Sequence, residues 1–303
     1  MKRIFISLTA LALTLCMCIG LCAGAYADGT APVAENLELQ TYQNVSVGGS
    51  LSAYDPDGGA LEYTITTEPV KGSIKLENDG SFVYTPRENK KGRDYFGYKA
   101  ADADGNLSQE ATVIIKIEKP KKDVLYSDMR GRADEYSAVL LSEKNIFTGE
   151  QIGGEYCFGP DKNVSRGEFL SMCMLISGKP LLESAMKTGF ADDENIPSWM
   201  KGYVSTAAMC GVAGGGEYGE AFEAQTPVTK SEAALMLDRA INVTTVSYIP
   251  LDEALDADIA QACANLSACG VMDDAIGGRN GEYLTRGEMA RMLSAAIKLT
   301  ENR

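Results

Sequence analysis

Between Ala31 and Ile117 apolar and polar residues alternate in short runs, whereas beyond Val124 the apolar positions recur every three or four residues. The first period is that of strands with one buried face and the second that of helices with one buried stripe. Leu61, Tyr63 and Ile65 alternate with polar neighbours, as do Phe82 with Tyr84, and Val113 with Ile115 and Ile117. Between them lie Asp55-Pro56-Asp57-Gly58-Gly59, Asn78-Asp79-Gly80 and Asp102-Ala103-Asp104-Gly105-Asn106, whose residues tolerate turn dihedrals. About seven antiparallel strands are predicted over residues 30–119, enough for a β-sandwich. Glu118-Lys119-Pro120-Lys121-Lys122 then breaks all periodicity, and residues 120–123 read as a short stiff linker.

The helical half carries one phrase three times: Ser165-Arg166-Gly167-Glu168, Thr229-Lys230-Ser231-Glu232 and Thr285-Arg286-Gly287-Glu288. A hydroxyl residue followed three places on by Glu is the spacing of a capping box, so each copy predicts a helix start. Apolar residues follow at one stripe: Phe169, Met172, Cys173 and Ile176; Ala233, Met236, Leu237 and Ala240; Met289, Met292, Leu293 and Ala296. The spacings between the cations, 64 and 56 residues, define a repeat. Each unit opens near an Asp (Tyr126-Ser127-Asp128, Phe190-Ala191-Asp192, and more loosely Leu251-Asp252) and continues as helix, Gly-rich loop and capped helix. Inward positions of the first helices are Val139, Leu140 and Ile146; Tyr203, Ala207 and Val212; and Ile259, Ala262, Leu266 and Val271.

A cation in the first turn opposes the helix dipole by roughly 0.3–1 kcal/mol, so capping alone does not explain Arg166, Lys230 and Arg286. Their recurrence in register favours anion sites at the helix starts, which a cation strengthens; the alternatives are cations solvated at the surface or paired with nearby carboxylates.

The helical half resembles the S-layer homology (SLH) family. The resemblance rests on Phe190-Ala191-Asp192, Trp199, Gly211-Val212-Ala213-Gly214 and Pro227-Val228-Thr229-Lys230-Ser231-Glu232, and covers all three repeats, at 124–180, 188–244 and 247–300. It implies an all-α, pseudo-threefold module. Such a module binds an anionic secondary cell wall polymer, often capped by a pyruvylated amino sugar, in grooves between repeats. The resemblance carries ligand contact to the cations Arg166, Lys230 and Arg286 and to the opening acids Asp128, Asp192 and Asp252. It extends it to the loop glycines Gly149 and Gly215 and to the aromatic Trp199. The aromatic position falls on Ala133 in the first repeat and Asp258 in the third, and the third loop position is Asp274. An acid at those two places disfavours an anion in the third groove. Residues 30–119 are similar to cadherin-like and immunoglobulin-like modules of bacterial surface proteins, through Ala31-Pro32-Val33-Ala34, Leu51 to Gly58, Asp79 to Pro86 and Gly92 to Tyr98. Such modules act as spacers or adhesive units with a protein or glycan partner.

Lys2 and Arg3, an apolar run from Ile4 to Leu21 and Ala25-Tyr26-Ala27 form a secretory signal, so residues 1–27 are expected to be removed, leaving no second apolar run. The expected location is the wall or surface of a bacterium. Without those residues 26 basic and 42 acidic side chains remain, net −16, which argues against nucleic acid as partner. The helical half is itself acidic, so an anionic polymer would be held only by short-range pairs. With no histidine in the chain, imidazole-based catalysis and zinc ligation are excluded. Asp55, Asp57, Asp102 and Asp104 offer oxygen ligands to calcium, or serve only their turns. No cofactor is expected. Cys157, Cys173, Cys210, Cys263 and Cys269 remain after the leader, and most read as small buried apolar residues. The expected function is therefore non-catalytic wall anchoring with a displayed sandwich. A self-assembling lattice subunit and a carboxylate-based carbohydrate-active enzyme are the alternatives.

Overall fold

A computed structural model describes residues 29–182, 185–213, 220–247, 256–272 and 281–301. The leader, Asp252, Gly215 and Asp274 lie outside the described residues.

Nine strands occupy the first half: β1 (Val33–Ala34), β2 (Leu37–Tyr42), β3 (Val47–Ser50), β4 (Ala53–Tyr54), β5 (Glu62–Thr67), β6 (Gly72–Leu76), β7 (Ser81–Pro86), β8 (Gly92–Ala101) and β9 (Ala111–Glu118). One sheet has the order β2-β9-β8-β5 and the other β3-β7-β6, with β1 and β4 as a separate pair. The expected alternation is present, since Val113, Ile115 and Ile117 are buried while their neighbours in β9 face outward. Across the sandwich Phe82 meets Phe96 edge to face with centroids 5.3 Å apart. One pairing departs from the antiparallel expectation: β2 runs parallel to β9, Leu37 opposite Val113. These strands are separated by most of the domain, so no hairpin dictates their direction.

The second half holds α1 (Glu135–Glu143), α2 (Arg166–Ser177), α3 (Ser198–Met209), α4 (Lys230–Ile241), α5 (Ala257–Ala268) and α6 (Arg286–Glu301). All three capping boxes form. Glu168, Glu232 and Glu288 each accept from the cap's amide, and Ser165, Thr229 and Thr285 accept in return from the Glu amides. The stripe residues Phe169, Met172 and Cys173 are buried, as are all four in α4 and all four in α6. The first loop departs from expectation: strands β10 (Glu150–Ile152) and β11 (Glu155–Cys157) form a hairpin. Gly153 and Gly154, both at positive φ (62° and 91°), make the two-residue turn whose twist suits such a hairpin.

The closely packed helix pairs lie between repeats. The capped helix of one unit packs on the first helix of the next, α2 on α3, α4 on α5, and α6 back on α1. Three backbone bonds close the ring: Val164 N–H donates to Leu284 C=O, Leu284 to Val228, and Val228 to Val164, at 3.0, 2.9 and 2.9 Å.

The sandwich is docked on this ring. Gly48 N–H in β3 donates to Ala133 C=O (2.9 Å), Tyr136 N–H donates to Ser46 C=O (3.0 Å), and the Tyr42 and Tyr136 rings lie 5.5 Å apart. The 120–123 segment is itself held, because Lys121 and Lys122 amides donate to the Glu143 carboxylate at 3.0 and 2.6 Å. Sandwich and helices accordingly share one continuous core.

Candidate functional site

The repeated phrase lies at the junctions between repeats, where each of its four residues has a distinct physical task. The first backbone amides of an α-helix have no partner within it. Here they donate across the junction: Arg166 N–H to Thr226 C=O (2.9 Å), Lys230 N–H to Glu282 C=O (2.8 Å) and Arg286 N–H to Lys162 C=O (2.8 Å). Gly167 and Gly287 amides do the same to Ala224 and Pro160, both at 2.9 Å. Hence the first two amides of α2 and α6 are already satisfied and do not await an anion. In α2 and α6 the small residue is a glycine closely approached by the next unit. A Cβ at Gly167 would sit 2.6 Å from Met200 Sδ, and one at Gly287 would sit 2.5 Å from Asp134 Oδ2.

The cations also cross to the next unit. Arg166 Nη1 lies 2.6 Å from Glu232 Oε1, its Nε donates to Phe222 C=O, and its guanidinium rests over the Phe222 ring. Lys230 Nζ lies 2.7 Å from Glu288 Oε1 and 3.1 Å from Glu282 Oε2. Arg286 Nη1 lies 2.9 Å from Glu150 Oε1 and 3.1 Å from Phe158 C=O, with its guanidinium over Phe147. All three cationic side chains are nearly covered, at 13%, 9% and 12% exposure. Burial pulls Lys230 down, but Glu288 and Glu282 outweigh it and leave it above the ordinary lysine value. Burial likewise pushes Glu288 up, and the bonds from Lys230 and Thr285 bring it below the usual carboxylate range. Hydrogen bonds from Lys162 and Arg286 hold Glu150 low as well.

The two described opening acids act as loop clamps. Asp128 accepts from Phe158 and Gly159 amides (2.9 and 2.7 Å), and Asp192 accepts from Phe222 and Glu223 amides (2.7 and 2.9 Å). Asp252, the third, is among the residues not described. Gly149 has φ +72° and its absent Cβ would fall 2.5 Å from Cys157 C=O, so a side chain is excluded there by both dihedral and space.

Trp199 is different in kind: it stands 59% exposed on α3 with Tyr203 edge-on at 6.5 Å. Two cavities flank it. One of about 260 Å³ is lined by Asn163, Ser165, Glu168, Pro197 and Gln225, and one of about 310 Å³ by Phe147, Glu168, Leu175 and Tyr203. Both belong to the cleft between the first and second repeats. The matching cleft between the third and first repeats, also about 310 Å³, is lined by Arg132, Ala133, Asp134, Thr285 and Glu288. At Ala133, the counterpart of Trp199, the sandwich occupies the space: a Cβ on Gly48 would lie 2.6 Å from the Ala133 Cβ. In the third repeat Asp258 is held by Arg239 Nη2 at 2.8 Å.

The structure thus gathers Trp199 with Glu168 but turns Arg166 toward Phe222 and Glu232. Sequence reasoning missed these partner acids, Glu150, Glu232, Glu282 and Glu288. The repeated Glu was visible but was accounted for by capping alone. Among the described residues no cluster of three or more metal-ligating side chains occurs. Asp55 and Asp102 accept amides of their own turns, and Asp57 accepts the amide of Thr30, so each has a structural task in these loops. Among the five described cysteines only Cys173 is buried. Cys210 is exposed and the other three are half-buried, contrary to the expectation that most are interior, because Cys210 falls at the end of α3 beyond its packed face.

Comparison with known proteins locates the first half. Residues 29–119 match the bacterial cadherin-like domain. Similar solved structures include human protocadherin-24 EC1-2, at 21% identity and TM-score 0.26 over 31% of this chain and 54% of that one. A putative alpha-galactosidase from Bacteroides fragilis is 14% identical with TM-score 0.24, over 29% of this chain and 18% of that one. An endo-fucoidan hydrolase of glycoside hydrolase family 107 is 22% identical with TM-score 0.26, over 30% and 14% respectively. No curated protein matches the chain. Among the described residues no helix is long and apolar enough to cross a membrane.

Proposed function

We propose that this chain is a non-catalytic surface protein of a bacterium, exported by its leader and held non-covalently to wall polysaccharide by an SLH-like, pseudo-threefold helical module. The observation that carries the reading is the cleft between the first and second repeats, where an exposed indole stands between two cavities with hydroxyl, amide and carboxylate side chains around it. The ring of bonds among Val164, Val228 and Leu284 supports the threefold character. The cadherin-like half fits a displayed or spacing module, and its docking on α1 favours a fixed rather than a swinging presentation. The cations favour an architectural role in this scheme, since an acidic group of a polymer reaches Arg166, Lys230 or Arg286 only by displacing a carboxylate.

The test is co-sedimentation of the chain without its leader with purified cell walls, before and after chemical removal of the secondary polymer. Binding that disappears with the polymer, and that is weakened at least tenfold by Trp199→Ala, is the expected result; tenfold corresponds to about 1.4 kcal/mol. Undiminished binding to stripped walls, or by the Trp199→Ala variant, would overturn the assignment.

A further inference from the structure

The three capping-box glutamates invite comparison because the fold puts them in equivalent positions. In each, Oε2 takes the cap's amide and hydroxyl. In two of them Oε1 holds a cation sent by the preceding repeat: Arg166 reaches Glu232 Oε1 at 2.6 Å, and Lys230 reaches Glu288 Oε1 at 2.7 Å. By the same rule Arg286 should reach Glu168. It does not, because the hairpin found in the first repeat brings Glu150 to within 2.9 Å of Arg286 and Phe147 beneath its guanidinium. Among the described residues Glu168 therefore has no cationic partner, and it lines both cavities beside Trp199.

A carboxylate lacking the cation that its two counterparts hold, lining the same two cavities as an exposed indole, is a site for a positively charged group. Trp is the aromatic residue best suited to attract one. Asn163, Ser165 and Gln225 in the same cleft supply donors and acceptors for hydroxyls. We propose that this cleft binds an amino sugar whose amine is unacylated and protonated, the ammonium taking at Glu168 the place that Arg166 and Lys230 take at Glu232 and Glu288. The proposal takes from the wall-binding reading only that the ligand is a sugar, and it names the group recognised.

The chain has a single tryptophan, so fluorescence excited at the indole edge reports on this cleft alone. The experiment titrates the chain without its leader with a tetrasaccharide of unacetylated glucosamine and, separately, with its fully N-acetylated counterpart. The unacetylated form is expected to shift the emission and to bind about tenfold more tightly, the size of one hydrogen bond to a charged group. Glu168→Gln should abolish that preference, bringing the affinities for the two sugars to within about twofold of each other. Gln also completes a capping box, so the variant keeps its helix start, and thermal unfolding checks that it does. Equal affinity for the two sugars, an unchanged indole signal, or a preference that survives Glu168→Gln would overturn the proposal. So would a lysine-rich peptide binding as tightly as the amino sugar, since the site would then read charge without sugar. Wall sedimentation runs beside it. Sedimentation without amine preference defeats this proposal and leaves the anchoring reading standing, and the reverse outcome defeats only the anchoring reading.

Discussion

Replacing Lys230 by Met asks whether the repeated cation holds repeats together or awaits a ligand. The ammonium makes two contacts, 2.7 Å to Glu288 and 3.1 Å to Glu282, and its side chain is 9% exposed. Glu282 is the more exposed acid, and an ion pair of that kind contributes no more than about 1 kcal/mol. The Glu288 contact is better covered, and a hydrogen bond between charged groups there contributes about 1.5–3 kcal/mol. Met retains most of the apolar stem, so the expected loss is about 2–3 kcal/mol. For a module of this size that lowers the unfolding midpoint by about 5–10 °C. Urea and thermal unfolding of Lys230→Met, of Glu288→Gln and of the double variant make a cycle with an expected coupling of about 1–2 kcal/mol. A single variant within about 0.5 kcal/mol of the parent would place Lys230 among ordinary surface residues and refute the strut argument. Weakened wall binding at unchanged stability would return it to the ligand.

Gly48→Val inserts a side chain where the Ala133 Cβ already stands at 2.6 Å from the first added carbon, so the sandwich should undock at a cost of about 1–3 kcal/mol. Faster proteolysis at residues 120–123 would report it, and an unchanged cleavage rate would count against the shared core. Glu135 accepts Ser46 and Gly131 amides at this junction, and burial pushes its pKa up against those bonds and the field of Arg130. Its folded value exceeds its unfolded one, so its contribution is complete below the ordinary Glu value and lost as pH rises through the folded value. Glu135→Gln should flatten that part of the stability profile, and a profile with the same slope would exclude Glu135 as its source. Cys173 is fully buried and its thiol is pushed far up by burial, whereas Cys210 is exposed. A thiol reagent should label Cys210 in the native chain and Cys173 only after unfolding, and early labelling of Cys173 would contradict the packing of α2.

Much of the local structure was legible in the chain because it depends on neighbours in sequence. Alternation in β9, the turn-forming Asp and Gly clusters and all three capping boxes are properties of a few consecutive residues, and each appears where the pattern put it. The cation of the phrase could be singled out as unexplained by helix physics, but an anion site was the favoured reading, with a paired carboxylate or a solvated cation as the alternatives. What the sequence could not supply was the identity of the partner, since Arg166 meets Glu232, Lys230 meets Glu288 and Arg286 meets Glu150 across gaps of 66, 58 and 136 residues. Such contacts depend on which helix packs on which. The parallel pairing of β2 with β9 and the docking of β3 on α1 have the same origin. Trp199 shows the division most clearly. Sequence alone marked it as the aromatic of the second repeat, but its exposure, the filled counterpart at Ala133 and a Glu168 in the same cleft that has no cationic partner among the described residues follow only from closing the ring. Capping and periodicity act over one or two turns of chain, whereas the charge and shape of a cleft are set by residues that only the tertiary fold brings together.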